Sequence, residues 1–167
     1  TEVGRELAGF VGDREVDFKC SIALRAHQTA TLAARAFEQE RNLPRFSIPI
    51  DVIPNVQEIF AGDWELDASE AAHRSHDTAM RGWCYGDSQA AMEGGERLQD
   101  VLSRFQPALE EIAAQLADDR DVILVSHGAA IRVVTKHATG ADADFAYTGY
   151  MPNCRFTVME PRGKKFG

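Results

Sequence analysis

Two short segments carry side chains suited to phosphate or proton-transfer chemistry. His127 and Gly128 follow the apolar residues 122–125, where a strand is predicted to end and a helix to begin. Gly128 would let the backbone approach a ligand, and an imidazole can donate or accept a proton near neutral pH. Arg25 lies at a predicted helix start, and its planar guanidinium can hold a phosphate through two hydrogen bonds. The pattern favours a functional role for His127, whereas the spacing of Arg25 is equally consistent with an exposed helix charge.

A carboxylate offers a candidate proton donor. Glu58 is flanked by the apolar residues Val56 and Ile59. Partial burial among such neighbours favours a protonated carboxyl, which suits a general acid. A surface carboxylate is the other interpretation, and Asp63 and Glu65 compete for the same role.

A serine nucleophile and a metal-binding histidine pair have weaker support in the sequence. Ser126 as a nucleophile would need the G-x-S-x-G turn, but Leu124 stands where the first glycine belongs. His73 and His76 lie three apart on a predicted helix and could bind a metal as a pair. Since no third ligand follows at a diagnostic spacing, we predict no metal site here.

The elements that must position these residues alternate along the chain. Apolar periodicity predicts helices from Thr1, over 24–40, over 69–81, after Gly94-Gly95, and from Gly128 to about Thr139. Strands are predicted over 16–20, 122–125 and 155–160, an edge strand over 48–53, and a loop over 82–87.

This alternation, with one strand apolar on both faces, predicts an α/β three-layer sandwich: a mostly parallel sheet with helices on both faces. We expect one domain over residues 1–167. Ligands of such sheets bind at the carboxyl ends of the strands, near helix N-termini. The fold is therefore expected to bring Arg25 and His127 to that edge.

Composition narrows the classes of partner and compartment. The chain has 167 residues, with 18 Lys plus Arg against 26 Asp plus Glu, and a formal net charge of -8. This charge disfavours nucleic acid and anionic membranes as partners. No apolar run approaches the roughly 20 residues of a membrane helix. Three widely spaced cysteines without a CxxC pair indicate reduced thiols and a cytoplasmic protein.

Five segments, in order, resemble motifs of the histidine phosphatase superfamily, which has the phosphoglycerate-mutase-like fold. They are TEVGRELA at 1–8, SIALRAHQTA at 21–30, QEIFAGDWE at 57–65, EGGE at 93–96 with Arg104 downstream, and VSHG at 125–128 continuing to Ile131-Arg132. The departures are Leu7, where the family often has Gln, and Arg97, where it often has Ser. Together the segments span nearly the whole chain.

The resemblance implies a phosphohistidine mechanism. The family's nucleophilic histidine lies in an RHG motif on the first strand, upstream of the segment that matches at Thr1, so we expect that strand and motif to be absent from the sequence given. Carried over by position, Arg25 and His127 would bind the phosphoryl group, the amide of Gly128 would add a donor, and Glu58 would protonate the leaving group. No metal or organic cofactor is implied.

The resemblance is compatible with more than one function. A small chain with a short segment between Glu65 and Gly94 favours a phosphatase acting on small phosphate esters. A phosphoglycerate-mutase-type transfer, and a non-catalytic member that binds a phosphorylated ligand or a protein, remain open. A homodimer is conceivable through apolar residues near the C-terminus: Phe145, Tyr147, Tyr150 and Met151.

Overall fold

A parallel sheet forms where the sequence predicts its strands. The computed structural model describes residues 1–149, 151–162 and 165–167. In it β1 (Glu15–Ser21) lies between β2 (Ile50–Ile53) and β3 (Arg120–Val125), and both pairings are parallel. β2 is an edge strand, as the flanking prolines predict. β3 is half-buried along its whole length.

Two helices pack with this sheet in a compact unit made of Thr1–Gln57 and Ala108–His127. They are α1 (Glu2–Val11), capped by the Thr1 side chain, and α2 (Leu24–Glu40). Small residues bring the two helices close, since a Cβ at Gly4 would lie 2.3 Å from the carbonyl oxygen of Ala33. Phe18 of β1 and Phe37 of α2 are buried edge to face, with ring centroids 5.8 Å apart.

A second compact unit consists of Glu58–Pro107 and Gly128–Gly167. It begins with a 3₁₀ turn (Gly62–Trp64) and holds α3 (Glu70–Tyr85), α5 (Gly128–Thr139) and α6 (Ala143–Thr148). The short strands β4 (Pro161–Arg162) and β5 (Lys165–Phe166) pair antiparallel. Helix α4 (Leu98–Gln115) contributes residues 98–107 to this unit and 108–115 to the first.

The predicted loop over 82–87 is wrong for most of its length, because α3 continues to Tyr85. Trp83 is fully buried, and its indole N–H donates to the carbonyl of Ala90 at 2.6 Å, which holds this turn in the helix. Gly82 allows the approach, since a Cβ there would lie 2.4 Å from the Ala90 side chain. The helix ends at Gly86, whose φ of 99° favours glycine.

The predicted strand over 155–160 is also wrong. Within the described ranges residues 155–159 pair with neither sheet. Glu160 exchanges two backbone hydrogen bonds with Gly167, both at 2.9 Å, next to the antiparallel pair that begins at Pro161. Apolar alternation alone does not make a strand, because a strand also needs a hydrogen-bonded neighbour. Phe156 and Val158 of this segment are 39% and 52% exposed.

The broader prediction is confirmed: the protein is a mixed α/β fold with a parallel sheet flanked by helices. A single domain over residues 1–167 stays a prediction. Among the helices in the described ranges, none combines the length and the apolar character needed to cross a bilayer.

Candidate functional site

His127 is bound to the end of the neighbouring strand. β1 and β3 run parallel, with Cys20 opposite Val125, so Ser21 and the residues after Val125 reach the same edge of the sheet. Ser21 is fully buried and His127 is 7% exposed. Their side chains hydrogen-bond, with 2.7 Å between Ser21 Oγ and His127 Nε2. The sequence places Ser21 at a predicted strand end, and its contact with the imidazole is a structural finding.

Arg25 lies on the first turn of the helix that follows β1. The side chain is exposed, and the first turn of α2 carries no acidic residue. Within the part of the chain that the structure describes, no carboxylate pairs with the Arg25 guanidinium. The cation therefore faces solvent at the strand edge where the sequence predicts it, and it is available to an anion.

Ser126 has a structural role. Its hydroxyl donates to the carbonyl oxygen of Val56 at 2.7 Å, which links the end of β3 to the segment after β2.

In the second unit, Glu58 caps the N-terminus of α5. Its half-buried carboxylate accepts hydrogen bonds from the backbone N–H of Ala130 at 2.9 Å and of Ala129 at 3.4 Å. Both alanines are buried, so these amides would otherwise lack partners. A carboxylate here also complements the positive end of the helix dipole. The sequence predicts a carboxyl in a partly apolar setting, but it does not predict this cap.

The two oxygens of Glu58 differ in their surroundings. Oε1 accepts two short hydrogen bonds, from Ala130 at 2.9 Å and from Ile59 at 3.0 Å. Among the described residues, Oε2 accepts only from Ala129, at 3.4 Å. A change at Oε2 therefore disturbs the cap less than a change at Oε1.

The competing carboxylates do not touch α5. Glu65 accepts from the backbone N–H of Ala61 at 2.8 Å, which closes its own turn, and both Asp63 and Glu65 are exposed. Gly128 is exposed too, and no atom lies within 4 Å of where its Cβ would be. The space that the sequence predicts beside this glycine is present.

An ion pair holds the segment that carries Glu58. Arg104 on α4 binds both carboxylate oxygens of Glu96, at 2.7 and 2.9 Å, and also donates to the carbonyl of Glu58 at 3.1 Å. Glu96 in turn accepts from the backbone N–H of Phe60 at 2.8 Å. Both ionic side chains are mostly buried. The sequence identifies these two residues only through a motif, and their clamp on the Glu58 backbone is revealed by the fold.

His76 adds a titratable group to the same unit. Burial lowers the pKa of this half-buried imidazole; the Glu58 carboxylate opposes the shift, and the Arg132 guanidinium reinforces it. His73 on the same helix is exposed. In the described ranges no three His, Cys, Asp or Glu side chains come together as a metal site.

A cavity of about 200 Å³ lies elsewhere in the second unit. Phe145 and Met151, which the sequence offers as interface or lid residues, line its wall together with the cationic side chains of Arg132 and Lys136. Tyr150 of the same group lies outside the described residues. The homodimer stays a prediction.

Comparisons with known proteins agree on one family. A sequence profile of the Histidine phosphatase superfamily (branch 1) matches residues 1–167. The glucosyl-3-phosphoglycerate phosphatase of Mycolicibacterium vanbaalenii is 31% identical over 102 residues, which make up 58% of this chain and 45% of that protein. The adenosylcobalamin/alpha-ribazole phosphatase of Escherichia coli is 25% identical over 128 residues, 75% of this chain and 57% of that protein.

The chain thus spans about half the length of these curated relatives. Among solved structures, YhfR of Bacillus stearothermophilus aligns with a TM-score of 0.66 and 21% identity over 99% of this chain and 78% of that one, which shows a shared fold. The resemblance of the five sequence motifs is confirmed by the profile match along the whole chain. The chain belongs to the histidine phosphatase superfamily.

Proposed function

We propose that the protein hydrolyses small phosphomonoesters through a phosphohistidine, formed on a nucleophile in the RHG segment that the family resemblance puts upstream of Thr1. The observation that carries the proposal is the buried His127 at the carboxyl edge of the sheet, bound to the end of the adjacent strand. Arg25 follows that strand, and its exposed guanidinium pairs with no carboxylate of the described residues. A cation and an imidazole at such an edge suit a phosphoryl group.

In this proposal the charge of the transferring phosphoryl group is held by Arg25 and His127. The guanidinium offers two parallel donors, and the imidazole offers a third. The exposed backbone N–H of Gly128, at the positive end of α5, is proposed as a further donor. Donors fixed in advance around an in-line transition state are the largest contribution that a protein makes to this reaction.

Proton transfer is assigned to Glu58. The nucleophilic nitrogen bonds to phosphorus while the bond from phosphorus to the ester oxygen breaks, and the proton on Glu58 Oε2 passes to that oxygen. Water then attacks the phosphohistidine, its proton returns to the Glu58 carboxylate, and phosphate leaves with the histidine restored. The proposal is supported by the two unequal oxygens, because the cap through Oε1 survives both steps.

The relatives suggest which esters to try first. Two of them are named as a glucosyl-3-phosphoglycerate phosphatase and an adenosylcobalamin/alpha-ribazole phosphatase. We therefore propose that the substrate is the phosphate monoester of a small polar alcohol.

The test uses a protein expressed with the upstream RHG segment, with the 167-residue chain for comparison. We expect phosphate release from the longer protein alone, and a loss of roughly 10²-fold or more in Arg25→Ala and His127→Ala. His27→Ala is the matched control, because His27 is exposed on α2. Near-normal turnover in both site variants would contradict the proposal. Transfer between two hydroxyls without phosphate release would indicate a mutase, and binding without turnover a non-catalytic member.

A further inference from the structure

The hydrogen bond between Ser21 and His127 has a direction that the surroundings determine. Ser21 Oγ is fully buried and has two partners within the described part of the chain: the backbone N–H of Ala23 at 3.2 Å and His127 Nε2 at 2.7 Å. A hydroxyl carries one hydrogen and can accept at its oxygen. The amide of Ala23 can only donate, so it occupies an acceptor position of the oxygen.

The hydroxyl hydrogen of Ser21 is therefore left with one possible acceptor, the Nε2 atom of His127. If Nε2 carried a proton instead, two donors would point at the serine oxygen and the buried O–H would have no acceptor. Leaving a buried donor unsatisfied is costly. The arrangement is satisfied only when Nε2 is unprotonated and accepts from Ser21.

We infer that Ser21 is a positioning residue that holds His127 as the neutral Nδ1–H tautomer. A neutral imidazole has one N–H, and with Nε2 as acceptor that N–H lies on Nδ1. Any acceptor of a hydrogen bond from the neutral ring then receives it from Nδ1.

The consequence for chemistry rests on the proposed function. If His127 stabilises a phosphoryl oxygen, it does so through Nδ1–H, and the serine fixes both the ring orientation and the atom that donates. Partners that orient histidines at metal sites have effects of about 10- to 100-fold when they are removed. We expect a loss in that range for turnover in Ser21→Ala, with the substrate KM changed less than kcat.

Nitrogen NMR of the histidine rings tests the tautomer without any substrate. In the 167-residue chain labelled at histidine nitrogens, at a pH where His127 is neutral, we expect Nε2 to resonate as an unprotonated nitrogen and Nδ1 as a protonated one. In Ser21→Ala the ring should shift toward the Nε2–H form. Assignment uses His127→Gln, in which the signals of this ring disappear.

Ser126→Ala is the matched control. It also removes one serine hydroxyl from a strand end, but that hydroxyl donates to a backbone carbonyl and not to the imidazole. We expect the His127 tautomer to be unchanged in it. A protonated Nε2 in the unaltered chain would overturn the inference, as would a tautomer that is the same in Ser21→Ala or that shifts equally in Ser126→Ala.

Activity separates failure of this inference from failure of the proposed function. Normal turnover in His127→Ala overturns the proposed function and leaves the NMR result standing. Strong loss in His127→Ala with normal turnover in Ser21→Ala overturns the positioning role alone.

Discussion

Replacing Glu58 by glutamine should separate two roles of this side chain, helix cap and proton donor. Glutamine keeps a carbonyl oxygen that can accept from Ala130 and Ile59 as Oε1 does. It has no acidic proton to give. We therefore expect Glu58→Gln to fold nearly as well as the parent protein and to lose turnover on esters whose leaving group needs protonation.

The size of the stability effect follows from the cap. Glu58→Ala removes all three backbone contacts, and loss of a capping side chain costs about 0.5–2 kcal/mol. For a chain of this size each kcal/mol lowers Tm by about 2–4 °C. Glu58→Gln should lose less than about 1 kcal/mol, since only the long contact at Oε2 is altered. Thermal unfolding of the two variants measures the difference.

Turnover should fall in proportion to how much the leaving group needs a proton. General acid catalysis contributes about 10²–10⁴-fold, so an alkyl phosphate should lose that much in Glu58→Gln. A nitrophenyl phosphate has a leaving group that is stable as an anion, and its loss should stay below about tenfold. Phosphate release from the longer protein, with both esters, is the assay.

Glu65→Gln serves as the control, because this carboxylate also accepts a backbone N–H but lies outside the α5 cap. It should keep parental turnover on both esters. Equal losses on the alkyl and nitrophenyl esters in Glu58→Gln would refute the assignment of Glu58 as the acid.

Three other changes test the packing around these residues. Gly62→Ala should lower the free energy of unfolding by more than about 1–3 kcal/mol, since φ is +63° and the new Cβ would lie 2.2 Å from a backbone carbonyl oxygen. Gly86→Ala is the control, because Gly86 has φ +99° but open space around it, so this variant shows the cost of backbone strain alone. Urea unfolding of the two variants measures the difference. Arg104→Ala should cost about 2–3 kcal/mol by leaving a mostly buried carboxylate unpaired, and equal stability of this variant and the parent would contradict the clamp. Burial lowers the pKa of His137, so as pH falls below about 6.5 the unfolded chain takes up a proton before the folded one does. The free energy of unfolding should therefore fall as pH falls. His137→Gln should reduce this pH dependence, which urea titrations between about pH 7 and 5 measure.

Local patterns were sufficient where packing and propensity agree. The bounds of α2 and α5 match the prediction, because small apolar residues recur at helical spacing in α2 and Gly128 precedes a clear apolar stripe in α5. The strand ends follow from the same patterns, and these patterns are why the sequence predicts Arg25 and His127 at one edge of the sheet.

Contacts distant in sequence were beyond those patterns. The residues around Trp83 do not predict that the carbonyl of Ala90 accepts its indole N–H. The sequence pattern therefore predicts a loop where the last turn of α3 lies. The 155–160 segment alternates like a strand, and only the pairing of the folded chain shows that it is not one. Ser21 and His127 lie 106 positions apart, so their hydrogen bond depends wholly on the parallel register of β1 and β3.

Because Glu58 caps α5, the usual exchange between activity and stability does not apply at this position. Polar groups that serve chemistry often weaken a fold, so their removal commonly stabilises an enzyme. Here the carboxylate satisfies buried amides of Ala129 and Ala130, and we expect its loss to weaken the fold. If Glu58 is also the acid, selection for folding and selection for turnover favour the same residue. A variant that gives up turnover then gains no stability at this position in return.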